Sequence, residues 1–210
     1  MKIGILGSGI VGETLANGFI KHGHNVMRGS RTPDKLNEWA TKNGGKTGTF
    51  KEAAKFGDVV VLAVKGTAAE SAVSLCESEM DNKTVLDATN PISDQSPQNG
   101  VLNFFTGIND SLMERLQKKA SKAHFVKCFS CVGNPFMVNP SFSLKPTMFI
   151  CGNNDHAKSI ALEILTQFGW ETEDMGAVEA ARAIEPLCML WCIPGMIRNQ
   201  WSHAFKLLKV

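Results

Sequence analysis

Apolar and polar positions along the chain change period at short, regular intervals. Lys2–Leu6 is a compact strand-like run. Ile10–Lys21 then places Val11, Leu15, Gly18 and Phe19 on one face of a helix. Asn25–Ser30 predicts a second strand, and Pro33–Asn43 a second helix with Pro at a helix-start position. A short strand near Lys46–Thr49 and a small helix over Lys51–Phe56 follow. The run Asp58–Val64 (DVVVLAV) is β-branched without a polar break, as in a strand buried on both faces of a parallel sheet. Helix Ala68–Glu79, strand Thr84–Ala88, helix Asp110–Ala120 and strand His124–Phe129 continue the alternation, and strand Thr147–Cys151 and helix Asp155–Phe168 extend it. Such a β/α rhythm predicts an α/β fold: a Rossmann-type doubly wound, mostly parallel sheet with helices on both faces.

Two stretches interrupt the rhythm. Asn90–Asn109 is rich in Pro, Gly, Asn and Ser and reads as a long loop, while Cys131–Pro146 holds Pro135, Pro140 and Pro146 and cannot be helical throughout. Loops of this length in a compact domain are often functional. From about Val178 the chain is helical and apolar, with the run Leu187–Ile197 broken at Pro194-Gly195. Residues 1–152 are therefore expected to form the sheet domain. Residues 153–210 complete it with a βαβ unit and a short C-terminal helical extension, which packs on the same domain or on the partner in a homodimer.

Composition narrows the function. A chain of 210 residues is one domain with at most a modest extension. A net charge of +2 argues against a large electrostatic footprint for nucleic acid or an anionic membrane. There is no Tyr, which removes the Tyr-Lys proton relay of short-chain dehydrogenases. Six Cys without regular spacing do not make a disulfide scaffold, and no second CxxC or HxxxH accompanies Cys128/Cys131, so no metal site is expected. The glycines at 4, 7, 9 and 12 break the N-terminal apolar stretch and argue against a signal peptide. Leu187–Ile197 is, at 11 residues, too short to span a bilayer. A reduced, cytoplasmic protein is the expectation.

The motif that carries chemistry is Gly7-Ser8-Gly9-Ile10-Val11-Gly12, a GxGxxG set between a predicted strand and a predicted helix. Gly7 serves the tight turn, Gly9 admits a pyrophosphate close to the backbone, and Gly12 lets helix and strand pack closely. The helix N-terminus adds free N–H groups and partial positive charge. An NAD site places Asp or Glu about 20 residues beyond the glycines. Here the second strand ends in Arg28-Gly29-Ser30-Arg31-Thr32, with Lys35 one turn later. Ser30, Arg31 and Lys35 can donate to a 2′-phosphate that a carboxylate would repel, so NADP(H) is the expected cofactor.

These residues, together with GDVVVLAV, LDATNP at Leu86–Pro91 and HFVKCF at His124–Phe129, resemble the NADP-dependent deazaflavin-coenzyme reductase family. The cytosolic reductase domain of the STEAP ferric reductases is similar. The resemblance implies NADPH across the carboxyl ends of the strands and hydride passing to a flavin-like ring. It also implies that Ser8, Gly9, Ile10 and Val11 line the pyrophosphate and that Ala63, Val64 and Lys65 pass beneath the adenosine side. Asn90 and Pro91 would lie nearer the nicotinamide. Where the family has an Asn-Thr pair after the VKxF strand this chain has Ser130-Cys131, and where Pro is common it has Lys65. The segment Ser130, Cys131, Val132 and Gly133 is the expected meeting place of nicotinamide and acceptor.

No side-chain acid or base stands out as catalytic, and hydride transfer between flat rings needs positioning more than proton transfer. The five His lie at turns, element starts or the terminus. Cys128 and Cys131 could form a redox pair, but they follow a strand and lack the helix N-terminus that stabilises a reactive thiolate. Trp191 is either a core or dimer-interface residue or a cap over a flat acceptor across from Phe129–Val132. The sequence thus predicts an NADP(H)-dependent oxidoreductase acting on a small-molecule redox acceptor, a flavin or deazaflavin first. A quinone, ferric chelate or imine acceptor, and a non-catalytic NADP(H) sensor, are the alternatives.

Overall fold

The computed structural model describes all 210 residues. Six parallel strands form one sheet in the order β3-β2-β1-β4-β5-β6. They are β1 Lys2–Leu6, β2 Asn25–Gly29, β3 Lys46–Gly48, β4 Val59–Leu62, β5 Thr84–Asp87 and β6 His124–Lys127. Helices α1 Ile10–Lys21, α2 Asn37–Asn43, α3 Phe50–Phe56, α4 Gly66–Ser74 and α5 Leu112–Lys119 lie in the connections. The order reverses between β1 and β4, which opens a crevice at the carboxyl ends of those strands. Strands β7 Thr147–Ile150 and β8 Glu171–Asp174, linked by α6 Asp155–Gln167, pair parallel with each other. An antiparallel bridge, Lys127 to Cys151, joins that pair to the free edge of β6. Helix α7 Ala181–Arg198 is the last regular element.

All four residues of β4 are buried, as its unbroken apolar run predicts. Val59 and Val61 join the core under α1 and α6, with Phe19, Leu15 and Phe168, while Val60 and Leu62 join the core under α3, α4 and α5, with Ala53, Val73 and Leu116. Each such side chain contributes about 1.5–3 kcal/mol on full burial. Helix α3 opens with a capping box: Glu52 N donates to Thr49 Oγ1 at 3.2 Å, and Thr49 N donates to Glu52 Oε2 at 2.7 Å. Thr49-x-x-Glu52 satisfies two amide donors that the first turn would otherwise leave unpaired.

The boundaries of several elements are shorter than the pattern predicts. The second helix begins as a 3-10 turn, Pro33–Leu36, and only then becomes α2. Helix α4 stops at Ser74. The loop 90–109 is a folded arm: Ile92 and Phe104 form an antiparallel bridge, as do Gln98 and Val101, around an Asn99-Gly100 turn with φ of 52° and 80°. Two positive φ values in Asn-Gly define the hairpin turn that matches strand twist.

Strand β8 (ETED) supplies the second strand of the expected βαβ unit, but without apolar alternation its position is not marked in the sequence. Its ladder to β7 is clasped by the C-terminal tail, through Lys206–Glu171 at 2.7 Å and Lys209–Glu173 at 2.6 Å. The same tail accepts a main-chain bond from Thr147 N to Phe205 O at 2.9 Å. Helix α7 also differs from expectation, for it continues through Pro186 and Pro194 to Arg198. A proline in a helix interior costs about 3 kcal/mol; docking of Glu185, Cys188 and Trp191 against the domain offsets that cost, and all three are buried. With its preceding turn, Val178–Arg198 spans 21 residues, contains an 18-residue window of mean hydropathy 1.3 and is long and apolar enough to cross a membrane by length and composition, contrary to the shorter run expected. In this structure one of its faces is packed on the sheet domain.

Candidate functional site

The glycine loop joins β1 to α1 at the crevice. A Cβ on Gly7 would lie 2.3 Å from the Ala63 carbonyl, and one on Gly12 would lie 2.6 Å from the Gly7 carbonyl, so neither position admits a side chain. Gly9 is different: a Cβ there would meet nothing within 4 Å. The space above Gly9 is open, and the first amides of α1 face it without a side-chain cap. That is the environment a pyrophosphate needs. Ile10 stands exposed and Val11 half-buried at the same helix start.

A pocket of about 260 Å³ continues from this loop and brings together Ser8, Gly9, Ser30, Arg31, Lys35, Ala63, Val64 and Lys65. No carboxylate lines it. Ser30 Oγ accepts from Thr32 N at 3.1 Å, which leaves the hydroxyl proton free to donate into the pocket. Of the three cations only Lys65 is ion-paired, to Asp94 on the arm. An anion with one or two charges suits this lining, and an unphosphorylated ribose would leave Arg31 and Lys35 unused.

Arg28 is a site residue that motif reading misses. It is fully buried in β2. Its Nη2 donates to Gly9 O at 3.2 Å, its Nη1 to Glu13 Oε2 at 3.3 Å, and its guanidinium lies 4.7 Å over the Trp39 ring. Burial lowers its pKa and Glu13 pulls it back up. Arg28 thus braces the phosphate loop from below.

At the neighbouring strand ends, Asn90 Nδ2 donates to Ser130 O at 2.8 Å and ties the turn after β5 to the turn after β6. Asn90 Oδ1 and Ser130 Oγ are buried without partners. A buried polar atom without a partner costs about 1–3 kcal/mol, so both are poised for a polar ligand group. Phe129, between β6 and Ser130, has φ of 61° and is fully buried. A bulky residue in the left-handed region stores about 1–3 kcal/mol, and such strain clusters at functional sites. Phe129 N donates to Met148 Sδ at 3.2 Å, and its ring packs 6.1 Å from Phe168, which hold the turn in place. Gly66, at the start of α4, sits under Asn90: its Cβ would lie 1.9 Å from the Asn90 carbonyl.

Beneath this turn lies a buried ion cluster. Lys127 Nζ meets Asp87 Oδ2 at 2.7 Å, Glu185 Oε1 at 2.9 Å and Thr89 O at 2.9 Å, and all three charged side chains are at most 1% exposed. Asp87 Oδ1 accepts from Thr89 N and Thr89 Oγ1. Glu185 accepts from Leu112 N and Met113 N at 3.0 Å each, so the second negative charge is balanced by the N-terminus of α5. Burial alone would lower the Lys127 pKa, but Asp87 and Glu185 outweigh it and hold it raised. The cluster fastens β5, β6, α5 and α7 and fixes the Thr89 carbonyl, one residue before Asn90.

The remaining candidates are packed rather than open. Cys128, Cys131 and Val132 are buried. Burial pushes the Cys131 thiol up to about 12 and raises Cys128 well above its ordinary value, which removes the conditions for a reactive thiolate. Trp191 does face Gly133, whose Cβ would lie 2.5 Å from the indole. Its ring is covered by the tail, however: His203 stacks at 4.9 Å and Trp201 lies at 5.6 Å. Trp191 Nε1 donates to His203 O at 2.8 Å. No group of three or more His, Cys, Asp or Glu is disposed to hold a metal.

The fold is of the Rossmann type, and the comparisons with known proteins place the chain with NADP-dependent oxidoreductases. The sequence model of the family "NADP oxidoreductase coenzyme F420-dependent" matches residues 2–91, which bears out the resemblance to the deazaflavin-coenzyme reductases. The chain is 27% identical over 203 residues to the F420-dependent NADP reductase of Methanocaldococcus jannaschii, covering 90% of each chain. It is also 27% identical over 210 residues to the rat metalloreductase STEAP3, covering 93% of this chain and spanning 39% of that protein's length. A solved structure of a proposed F420-dependent NADP reductase from Arthrobacter sp. FB24 superimposes with a TM-score of 0.91 at 25% identity, with 100% of both chains covered. A reductive aminase from Aspergillus terreus, solved with NADPH, shares the fold alone, with a TM-score of 0.68 at 19% identity over 62% of its length.

Proposed function

We propose that this oxidoreductase transfers hydride between NADP(H) and a flavin-like acceptor, a deazaflavin first. The observation that carries the cofactor choice is the pocket beside Gly9, which holds Ser30, Arg31 and Lys35 and no carboxylate. When bound, NADPH supplies the hydride and leaves as NADP⁺, while the acceptor takes two electrons and a further proton from water. The chain's own work is positional. The amides at the start of α1 and the open face of Gly9 receive the pyrophosphate. Ser30, Arg31 and Lys35 hold the 2′-phosphate. Ala63, Val64 and Lys65 border the adenosine side, Asn90 and Ser130 orient the nicotinamide through their two buried, unpartnered oxygens, and Pro91 lies beside them.

The acceptor is assigned to the side of the crevice beyond Asn90 and Ser130, next to the expected position of the nicotinamide. The titratable group of that turn, the Cys131 thiol, is buried and pushed up to about 12, so the turn suits a ring that receives hydride directly better than a carbonyl that needs a proton donor. A cytoplasmic homodimer belongs to the same reading, with Leu190, Met196 and Ile197 exposed on α7 as the surface for a second copy. NADPH and NADH oxidation with a panel of deazaflavin, flavins, quinones and ferric chelates tests the proposal. Arg31→Ala is expected to weaken NADPH binding at least tenfold and to leave NADH binding nearly unchanged. Equal losses for the two would overturn the cofactor assignment. Tight NADPH binding with no turnover on any acceptor would favour the sensor.

A further inference from the structure

Lys65 and Asp94 form an ion pair across the mouth of the pocket, from the start of α4 to the arm 91–105. Both side chains are largely exposed, 63% and 71%. Lys65 lines the same pocket as Gly9, Ser30 and Arg31, whereas Asp94 does not line it. An exposed lysine–carboxylate pair is weak and easily exchanged. A 2′-phosphate monoester, or a pyrophosphate taken as a whole, carries more charge than one carboxylate and offers more acceptor oxygens. The arm is otherwise held by its own backbone bonds, with Phe105 N donating to Pro91 O at 2.9 Å, by Gly100 against Ile197, and by the Phe105 ring packed on the domain core under Arg115. Asp94 is therefore the arm's charged tie to the cofactor side of the crevice.

We propose that Lys65 is a phosphate-binding residue held in reserve by Asp94: it leaves Asp94 for a phosphate of the bound dinucleotide, and Asp94 thereby sets cofactor affinity through competition. The inference rests on the NADP(H) reading of the pocket. It assigns a regulatory role to a carboxylate outside the pocket and ties cofactor occupancy to the arm.

A double-mutant cycle at low ionic strength tests it, with Kd for NADPH and NADH measured on wild type, Lys65→Met, Asp94→Asn and the pair. Low salt is needed because exposed charges are screened. Asp94→Asn is expected to tighten NADPH about two- to five-fold, and Lys65→Met to weaken it about tenfold. In the Lys65→Met background Asp94→Asn should have no effect. Lys65→Met losses confined to NADPH identify the 2′-phosphate as the partner, and equal losses for both dinucleotides identify the pyrophosphate; either supports the exchange. If Asp94→Asn tightens binding equally with and without Lys65, the carboxylate acts only through net charge and the exchange is overturned. Absence of NADPH binding by the wild-type chain would overturn the cofactor reading and the exchange together. Both substitutions are at exposed side chains, and thermal melts of all four proteins should coincide within a few degrees.

Discussion

Arg28 Nη2 donates to the carbonyl of Gly9 at 3.2 Å, so the strand that ends in the Ser30-Arg31 turn also holds the phosphate loop. One strand thereby couples the two ends of the pocket. Hydrogen bonds to charged groups contribute about 1.5–3 kcal/mol each. Arg28→Met is expected to lower stability by about that amount for the loop bond alone, read by urea unfolding, and to weaken NADPH binding as the loop loosens. Arg28→Lys should recover little, because an ammonium cannot reach Gly9 and Glu13 in a fixed fork and stack on Trp39. Unfolding curves within 0.5 kcal/mol of wild type, about the scale of an ordinary surface substitution, would show that the brace is idle.

Gly9→Ala separates binding from folding. The new methyl meets nothing within 4 Å in the free protein, and the backbone there is ordinary, φ of −79°. The melting temperature should change by no more than a degree or two. NADPH affinity should fall at least tenfold, because the methyl enters the space assigned to the pyrophosphate. A variant that binds NADPH as well as wild type would place the dinucleotide elsewhere.

Lys127→Met would strand Asp87 and Glu185 together in the core. Removing one partner of a buried ion pair costs about 3–5 kcal/mol, which is a large share of the stability of a single domain. The raised Lys127 pKa means the ammonium's contribution is present at and below the ordinary lysine range and is lost only as pH rises through the still higher folded value. The cluster should hold through neutral and mildly alkaline conditions. A chemical-denaturation loss under 1 kcal/mol, the net scale of one ordinary hydrogen bond, would contradict its assigned role.

Acid should loosen the contact between α5 and α7. Arg182 donates to Glu114 at 2.6 and 2.9 Å, and this pairing, with help from Ser111, holds the Glu114 carboxyl below its ordinary range. A depressed carboxyl stabilises the fold above its unfolded value, roughly pH 4.3, and the benefit disappears as pH falls through the lower folded value. Wild type should therefore melt above Glu114→Gln at pH 6, and the two curves should converge near pH 3. A gap that persists unchanged into acid would assign the difference to packing.

The strands and helices of the sheet were legible because β4 is uninterrupted apolar sequence and α1 carries its apolar face at helical spacing. The phosphate loop was legible because glycine is required where a Cβ would strike the backbone. What escaped was held by isolated charges in apolar settings. Arg28 in NVMRG, Asp87 in TVLD and Lys127 in HFVK each sit in strands of a sheet expected to carry helices on both faces, where a charge must find a partner. Their partners are Gly9 and Glu13 for Arg28, Lys127 for Asp87, and Asp87 and Glu185 for Lys127, all on other elements, so periodicity could not pair them. The position of strand β8 escaped because ETED is held by tail lysines and not by burial. The turn at Phe129 has no sequence signature, whereas Asn99-Gly100 was a hairpin signal within a stretch read only as a loop.

The central claim is direct hydride transfer from NADPH to a flat acceptor ring. NADPH carrying deuterium at the nicotinamide C4, offered with an oxidised deazaflavin in ordinary water, tests it most directly by mass spectrometry of the product. The account predicts one deuterium retained on the carbon of the reduced deazaflavin ring from one of the two C4 faces. A reduced acceptor that carries only solvent hydrogen when either face is labelled, or bound NADPH that is never oxidised, would contradict it.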